Sequence, residues 1–142
     1  MKRQDAKLEW KVIDRWAVVN QTSGISSDEH FQSQMSALMA HNLVGMLFVP
    51  IGLPTLSPLQ RKQLIDLFKT HRVRCAIFAN STLVLGVATA LGWFYEWVKP
   101  FKKLDRASIA AYLQIPTEIQ ERFFAQTQSY HARTPLEENA RG

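Results

Sequence analysis

Gly45-Met46-Leu47-Phe48-Val49-Pro50 is a short apolar run, and Ser57-Pro58-Leu59-Gln60 follows it as a helix start. The same pairing occurs twice more. Val73-Arg74-Cys75-Ala76-Ile77-Phe78 leads to Asn80-Ser81-Thr82. Val98-Lys99-Pro100-Phe101-Lys102-Lys103 leads to Asp105-Arg106-Ala107-Ser108. Strand, helix start, strand, helix start predicts one α/β domain on a mostly parallel sheet. The pattern specifies a fold but no reaction.

Working outward, Leu8-Glu9-Trp10-Lys11-Val12 and Arg15-Trp16-Ala17-Val18-Val19 alternate like strands, with Asp14-Arg15 as the turn between them. This predicts an antiparallel hairpin at the N-terminus. The whole expectation is a single small α/β domain over residues 1–133, with a sheet of about five strands, that hairpin, and flanking helices. From Thr134 the chain turns polar, which predicts a flexible tail over 134–142.

The helices carry their own signals. Ser26 with Glu29 reads as a capping box, and Phe31, Met35, Leu38 and Met39 follow as a buried stripe. Ser57 is an N-cap, Pro58 takes the first helical position, and Gln60 completes a second capping box. Leu59, Leu64, Leu67 and Phe68 are expected to face the core there, with Arg61, Lys62, Asp66 and Lys69 in water. The third helix, from Ser81, is apolar on most sides, so it is buried or sits against a partner. Gly86 and Gly92, with Ala88 and Ala90, would let it approach the sheet closely. Of the aromatic cluster at its end, Trp93, Tyr95 and Trp97 are candidates for an interface. Asp105 caps a short helix through Leu113, and Pro116-Thr117-Glu118 opens the last one.

Composition narrows the function classes. The chain has 142 residues, 46% of them apolar, which is enough to build a core and excludes a disordered chain. The polar start Met1-Lys2-Arg3-Gln4-Asp5 is not a signal peptide, so a cytoplasmic location is expected. The longest apolar stretch, Leu83 to Val98, is broken by Thr89 and Glu96 and falls short of the roughly 20 residues of a membrane span. The net charge is +5, concentrated in Arg61, Lys62, Lys69, Arg72 and Arg74 and in Lys99, Lys102, Lys103 and Arg106. These clusters lack the dense aromatic interleaving of a nucleic-acid platform and read as a solvated basic face. A single cysteine excludes an intrachain disulfide, and Cys75 lies within an apolar strand, where a thiol behaves as a small hydrophobe.

No catalytic constellation is visible. His30, His41, His71 and His131 are scattered, so no metal site is expected, and no phosphate-cradling or nucleophile motif occurs. Asp28 and Glu29 suit the positive end of a helix dipole. No cofactor and no catalytic residue is therefore assigned. In parallel sheets, ligands and partners meet the loops at the carboxyl ends of the strands. Here those loops carry Ile51, Leu53 and Leu56, then Asn80, Ser81 and Thr82, as a candidate rim for a partner or ligand.

Arg74-Cys75-Ala76-Ile77-Phe78-Ala79-Asn80-Ser81, followed by the small-residue helix Val84 to Leu91, resembles the SpoIIAA-like (STAS or Sec14-like) bacterial domain family. Phe101, Ala107 and Ala111-Tyr112-Leu113 fit its later part, and the likeness spans Leu8 to Leu113. The resemblance implies a domain that binds other proteins and sometimes a nucleotide or lipid. It also implies, in the anti-sigma-antagonist branch, a phosphorylated serine in Asp-Ser-Ser-Gly at the start of the second helix. The matching stretch here, Pro54-Thr55-Leu56-Ser57-Pro58, lacks both the Asp and the Gly. Ser57 and Thr55 remain the candidate phosphoacceptors, since a phosphate suits a helix N-terminus.

The expected function is thus a non-catalytic regulatory or scaffold domain working through protein contacts in bacterial signalling. The alternative is a sensor or carrier of a small apolar ligand or nucleotide, with a pocket between the third helix and the sheet. A second copy of the chain is also a candidate partner, through the aromatic cluster or the first strand.

Overall fold

The expected hairpin forms. Strand β1 (Leu8–Ile13) pairs antiparallel with β2 (Trp16–Gln21), placing Trp10 opposite Val19 and Ile13 opposite Trp16. Asp14 makes the turn at φ 58°, a left-handed conformation that aspartate tolerates better than most side chains. The computed structural model describes residues 8–21, 24–25, 27–50, 54–55, 57–79 and 81–131. The remaining elements are β3 (Gly24–Ile25), α1 (Asp28–Met39), β4 (Gly45–Pro50), β5 (Pro54–Thr55), α2 (Pro58–His71) and β6 (Arg74–Phe78). Then come α3 (Thr82–Phe94), β7 (Val98–Phe101), α4 (Arg106–Leu113) and α5 (Thr117–His131).

The main sheet has five strands in the order β1-β2-β4-β6-β7. Every pairing after the hairpin is parallel. Alternation along each strand divides the core in two. Ala17, Val19, Met46, Cys75, Ile77 and Val98 face one layer of helices, α1, α2 and α3. Trp16, Val18, Leu47, Val49, Ala76 and Phe78 face the other layer, α4 and α5. Phe123 of α5 is 0% exposed, and burying such a ring contributes up to about 3 kcal/mol. Gly45 lets the end of α4 close on the sheet. A Cβ there would lie 3.2 Å from Trp16 Cδ1 and 3.3 Å from Leu113 Cδ2. The Trp16 indole Nε1 donates to the Leu113 carbonyl at 2.8 Å, fastening the end of α4 to the sheet.

Some local expectations shift. Ser27, not Ser26, caps α1, with its hydroxyl accepting from His30 N at 3.1 Å, while Ser26 lies outside the described residues. In α2 the buried residues are Gln60, Leu64, Ile65 and Phe68. Leu59 is 50% exposed, because it lies a third of a turn away from the Gln60–Leu64–Phe68 stripe. Strand β7 ends at Phe101, before Lys102 and Lys103. It is an edge strand, and exposed Lys99 with Pro100 makes that edge a poor template for further pairing. The stretch 134–142 lies outside the described residues.

Candidate functional site

Strands β4, β6 and β7 are neighbours, and α2, α3 and α4 start from their carboxyl ends. Each start is closed by a side chain. Ser57 accepts from Gln60 N at 3.1 Å, Ser81 from Val84 N at 3.1 Å, and Asp105 from Ser108 N at 3.3 Å. Bonds from Ser108 also hold the Asp105 carboxyl below its ordinary range, as expected of an N-cap acid.

The Ser57 cap is part of a larger clamp. Gln60 Oε1 accepts from Ser57 N at 3.2 Å, completing the expected capping box. Asp28 Oδ1, from the first turn of α1, accepts from Ser57 Oγ at 3.2 Å and from Gln60 Nε2 at 3.0 Å. One carboxylate therefore ties the starts of α1 and α2 together. In the sequence Asp28 stands out only as a dipole partner, and no local signal links it to a residue 29 positions away. Asn20 was missed as well. It is fully buried at the end of β2, and its Nδ2 donates to the Val49 carbonyl at 2.7 Å.

Beside this edge a second, two-stranded parallel sheet pairs Gly24 with Pro54 and Ile25 with Thr55. That places the backbone of Thr55 in a strand, where a loop was expected. Ile51, Leu53, Leu56 and Asn80 lie outside the described residues, as does the Thr55 side chain. Ser81 serves as a cap, and Thr82 is exposed at the first position of α3.

Helix α3 is the unusual element. Val84, Ala88 and Leu91 pack inward. A Cβ on Gly92 would stand 3.2 Å from the Val98 carbonyl, so this glycine does permit close approach to β7. Gly86 faces open space. Outward, Leu83 is 56% exposed, Trp93 78% and Phe94 67%. Of the aromatic residues expected at an interface, only Trp93 is presented. Tyr95 donates its hydroxyl to the Val73 carbonyl at 2.9 Å and packs between Phe68 and Trp97. Trp97 lies under the Arg74 guanidinium at 4.6 Å. The helix ends at Phe94 and the chain turns extended at Tyr95, which swings both rings back against the body and leaves Phe94 outside.

Two hollows adjoin α3. One is an apolar cavity of about 50 Å³ between α1, α2, α3 and the sheet, lined by residues including Met35, Met46, Phe68, Cys75 and Ala88. Burial there pushes the Cys75 thiol up from 9.0 to about 12, the opposite of what a nucleophile needs. The other is an open groove of about 460 Å³ between α2 and α3. Ile65, Leu91 and Phe94 line it, together with Lys62, Asp66 and Lys69.

Part of the basic charge is used internally. Arg74 spans the Trp97 and Tyr112 rings, and Lys99 lies over Phe101 and Tyr112. These are cation–π contacts, which hold a charge against a ring face. Among the described residues no cluster of His, Cys, Asp or Glu could hold a metal ion, and no helix is long and apolar enough to cross a membrane.

No protein-family model matches the sequence, and no curated protein matches it. A solved structure does match in shape. The crystal structure of an anti-sigma factor antagonist from Mycobacterium paratuberculosis aligns with a TM-score of 0.52 at 13% identity, covering 75% of this chain and 93% of that one. The hairpin-led five-stranded sheet and its helices are thus an α/β fold of the SpoIIAA/STAS type.

Proposed function

We propose that this chain is a regulatory protein-interaction domain without catalysis of its own. One observation carries the reading. Helix α3 packs one face into the core and leaves Leu83, Trp93 and Phe94 in water. Exposed apolar groups on a well-packed helix mark a contact surface, and tryptophan is enriched among residues that dominate binding. The similarity in fold to an anti-sigma factor antagonist, a regulatory protein, supports the same reading. A small-ligand carrier is less well supported. The cavity behind α3 holds about 50 Å³, far below the roughly 300 Å³ at which ligand pockets begin. Phosphorylation of Ser57 would set a dianion against Asp28, so the clamp must open if Ser57 is the acceptor.

The test is site-specific photo-crosslinking in the source cells. A photoreactive phenylalanine replaces Leu83 or Trp93, and exposed Glu121 on α5 serves as control. A discrete protein adduct is expected from α3 and none from Glu121. Equal labelling from all three positions, or none, refutes the reading.

A further inference from the structure

We infer that the groove between α2 and α3 receives an amphipathic helix of a partner protein, with carboxylates flanking its apolar face. The inference rests on the protein-interaction reading above and specifies the partner's chemistry. The groove is lined on the α2 side from Pro58 to Lys69 and on the α3 side by Ala90, Leu91 and Phe94. Pro58 to Lys69 spans 11 residues of rise, about 16 Å, or about three turns of a docked helix. Both walls are helices of one layer, so a third helix can settle its ridge between them at ordinary interhelical spacing.

The lining decides the occupant. Ile65 and Leu91 form an apolar floor, and Phe94, two-thirds exposed, stands as a side wall. This is the arrangement in which apolar side chains at i, i+3, i+4 and i+7 are held. Lys62 and Lys69 stand at the groove with Asp66 between them, so the local field is positive. Acidic flanks on the guest match that field. A second copy of the chain is a poorer match, because two-fold pairing would set two net-positive faces, each with Arg61, Lys62 and Lys69 against one Asp66, on each other. A bilayer surface is also a poor match. It offers no ridge to fill a recess of about 460 Å³.

The test titrates the full isotope-labelled chain with two synthetic 15-residue helical peptides, a length of about four turns. Both carry the same leucine face, one flanked by glutamates and the other by lysines. Anionic phosphatidylglycerol vesicles are the third probe. The glutamate peptide should shift amides within 61–69 and 90–94 and bind about tenfold tighter than the lysine peptide at low salt, with the gap narrowing as salt rises. Lys62→Glu with Lys69→Glu should reverse the preference, and Phe94→Ser should weaken both peptides. Equal affinities, shifts elsewhere, absent binding, or vesicles that move these amides when the glutamate peptide does not would each overturn the assignment. The two proposals fail separately. A crosslinked partner that still binds the double lysine variant keeps the regulatory reading and removes the groove. Peptide binding without any crosslinked partner supports the groove and removes the regulatory reading.

Discussion

Replacing Ser57 by aspartate should destabilise the fold, and replacing Asp28 by asparagine should cancel that cost. Aspartate caps helices about as well as serine and suits the helix dipole, so Ser57→Asp alone predicts little change. The Asp28 carboxylate reverses this. Its Oδ1 lies 3.2 Å from Ser57 Oγ, and an aspartate at 57 puts a second carboxylate about 4 Å from the first. Two unit charges at about 4 Å repel by about 1 kcal/mol in water and by about 4 kcal/mol at an effective dielectric of about 20. The pair is exposed, so the lower figure applies. The expected cost of Ser57→Asp is about 1 kcal/mol, falling to near zero in the Asp28→Asn background. Urea unfolding of the four proteins, followed by tryptophan fluorescence, measures the coupling. At about 1 M salt, where the Debye length is about 3 Å, the coupling should fall by at least half. A coupling below about 0.3 kcal/mol, or one that salt does not change, refutes the clamp as a charge-sensitive element. A phosphate on Ser57, carrying up to about twice that charge, would repel Asp28 by up to about twice that number.

Three further outcomes follow from the packing. Phe123→Ala should cost about 3–5 kcal/mol in urea unfolding, because the ring is wholly enclosed between α5 and the sheet. Trp16→Phe should cost about 2 kcal/mol by leaving the buried Leu113 carbonyl without its donor, and the amide exchange of α4 should speed up with it. The Cys75 thiol stays neutral in the fold up to about pH 12, while the unfolded chain ionises it near 9.0. Stability from this group is therefore intact below pH 9.0 and is lost as the pH rises toward about 12. Urea midpoints across that window should fall more steeply in the native sequence than in Cys75→Val.

The sheet was legible because its signals are local. Each apolar run, its helix start and the following stripe lie within a few residues, and hairpin, parallel strands, cap residues Ser57 and Asp105, and the start of the third helix at Ser81 came out as expected. The site was less legible because it depends on which side of an element a residue falls. Leu59 was expected in the core, yet it lies outside, because the buried α2 stripe runs through its neighbour Gln60 to Leu64 and Phe68. Tyr95 and Trp97 share the composition of Trp93 and Phe94, yet they follow the helix end and are drawn back by the Val73 carbonyl and the Arg74 guanidinium. The Asp28 clamp spans two helices, and no spacing rule reaches across them. The strand pair β3–β5 has only two residues on each side, too few to show any alternation.

The order of strands in the sheet is also their order in the chain. A ribosome can therefore extend this sheet at one growing edge, and no later strand has to insert between two that are already paired. The opposite is true of the second helical layer. Ile119, Phe123 and Phe124 cover Trp16, Val18, Leu47 and Val49, so α5 closes a face opened by strands made well before it. Until it emerges, the nascent chain holds a complete sheet with one side covered by α4 alone and the rest of that side wet and apolar. Such a species is prone to self-association, as partly folded sheets generally are. A chain stopped at Gln114 should show it by binding a hydrophobic dye that the full chain excludes.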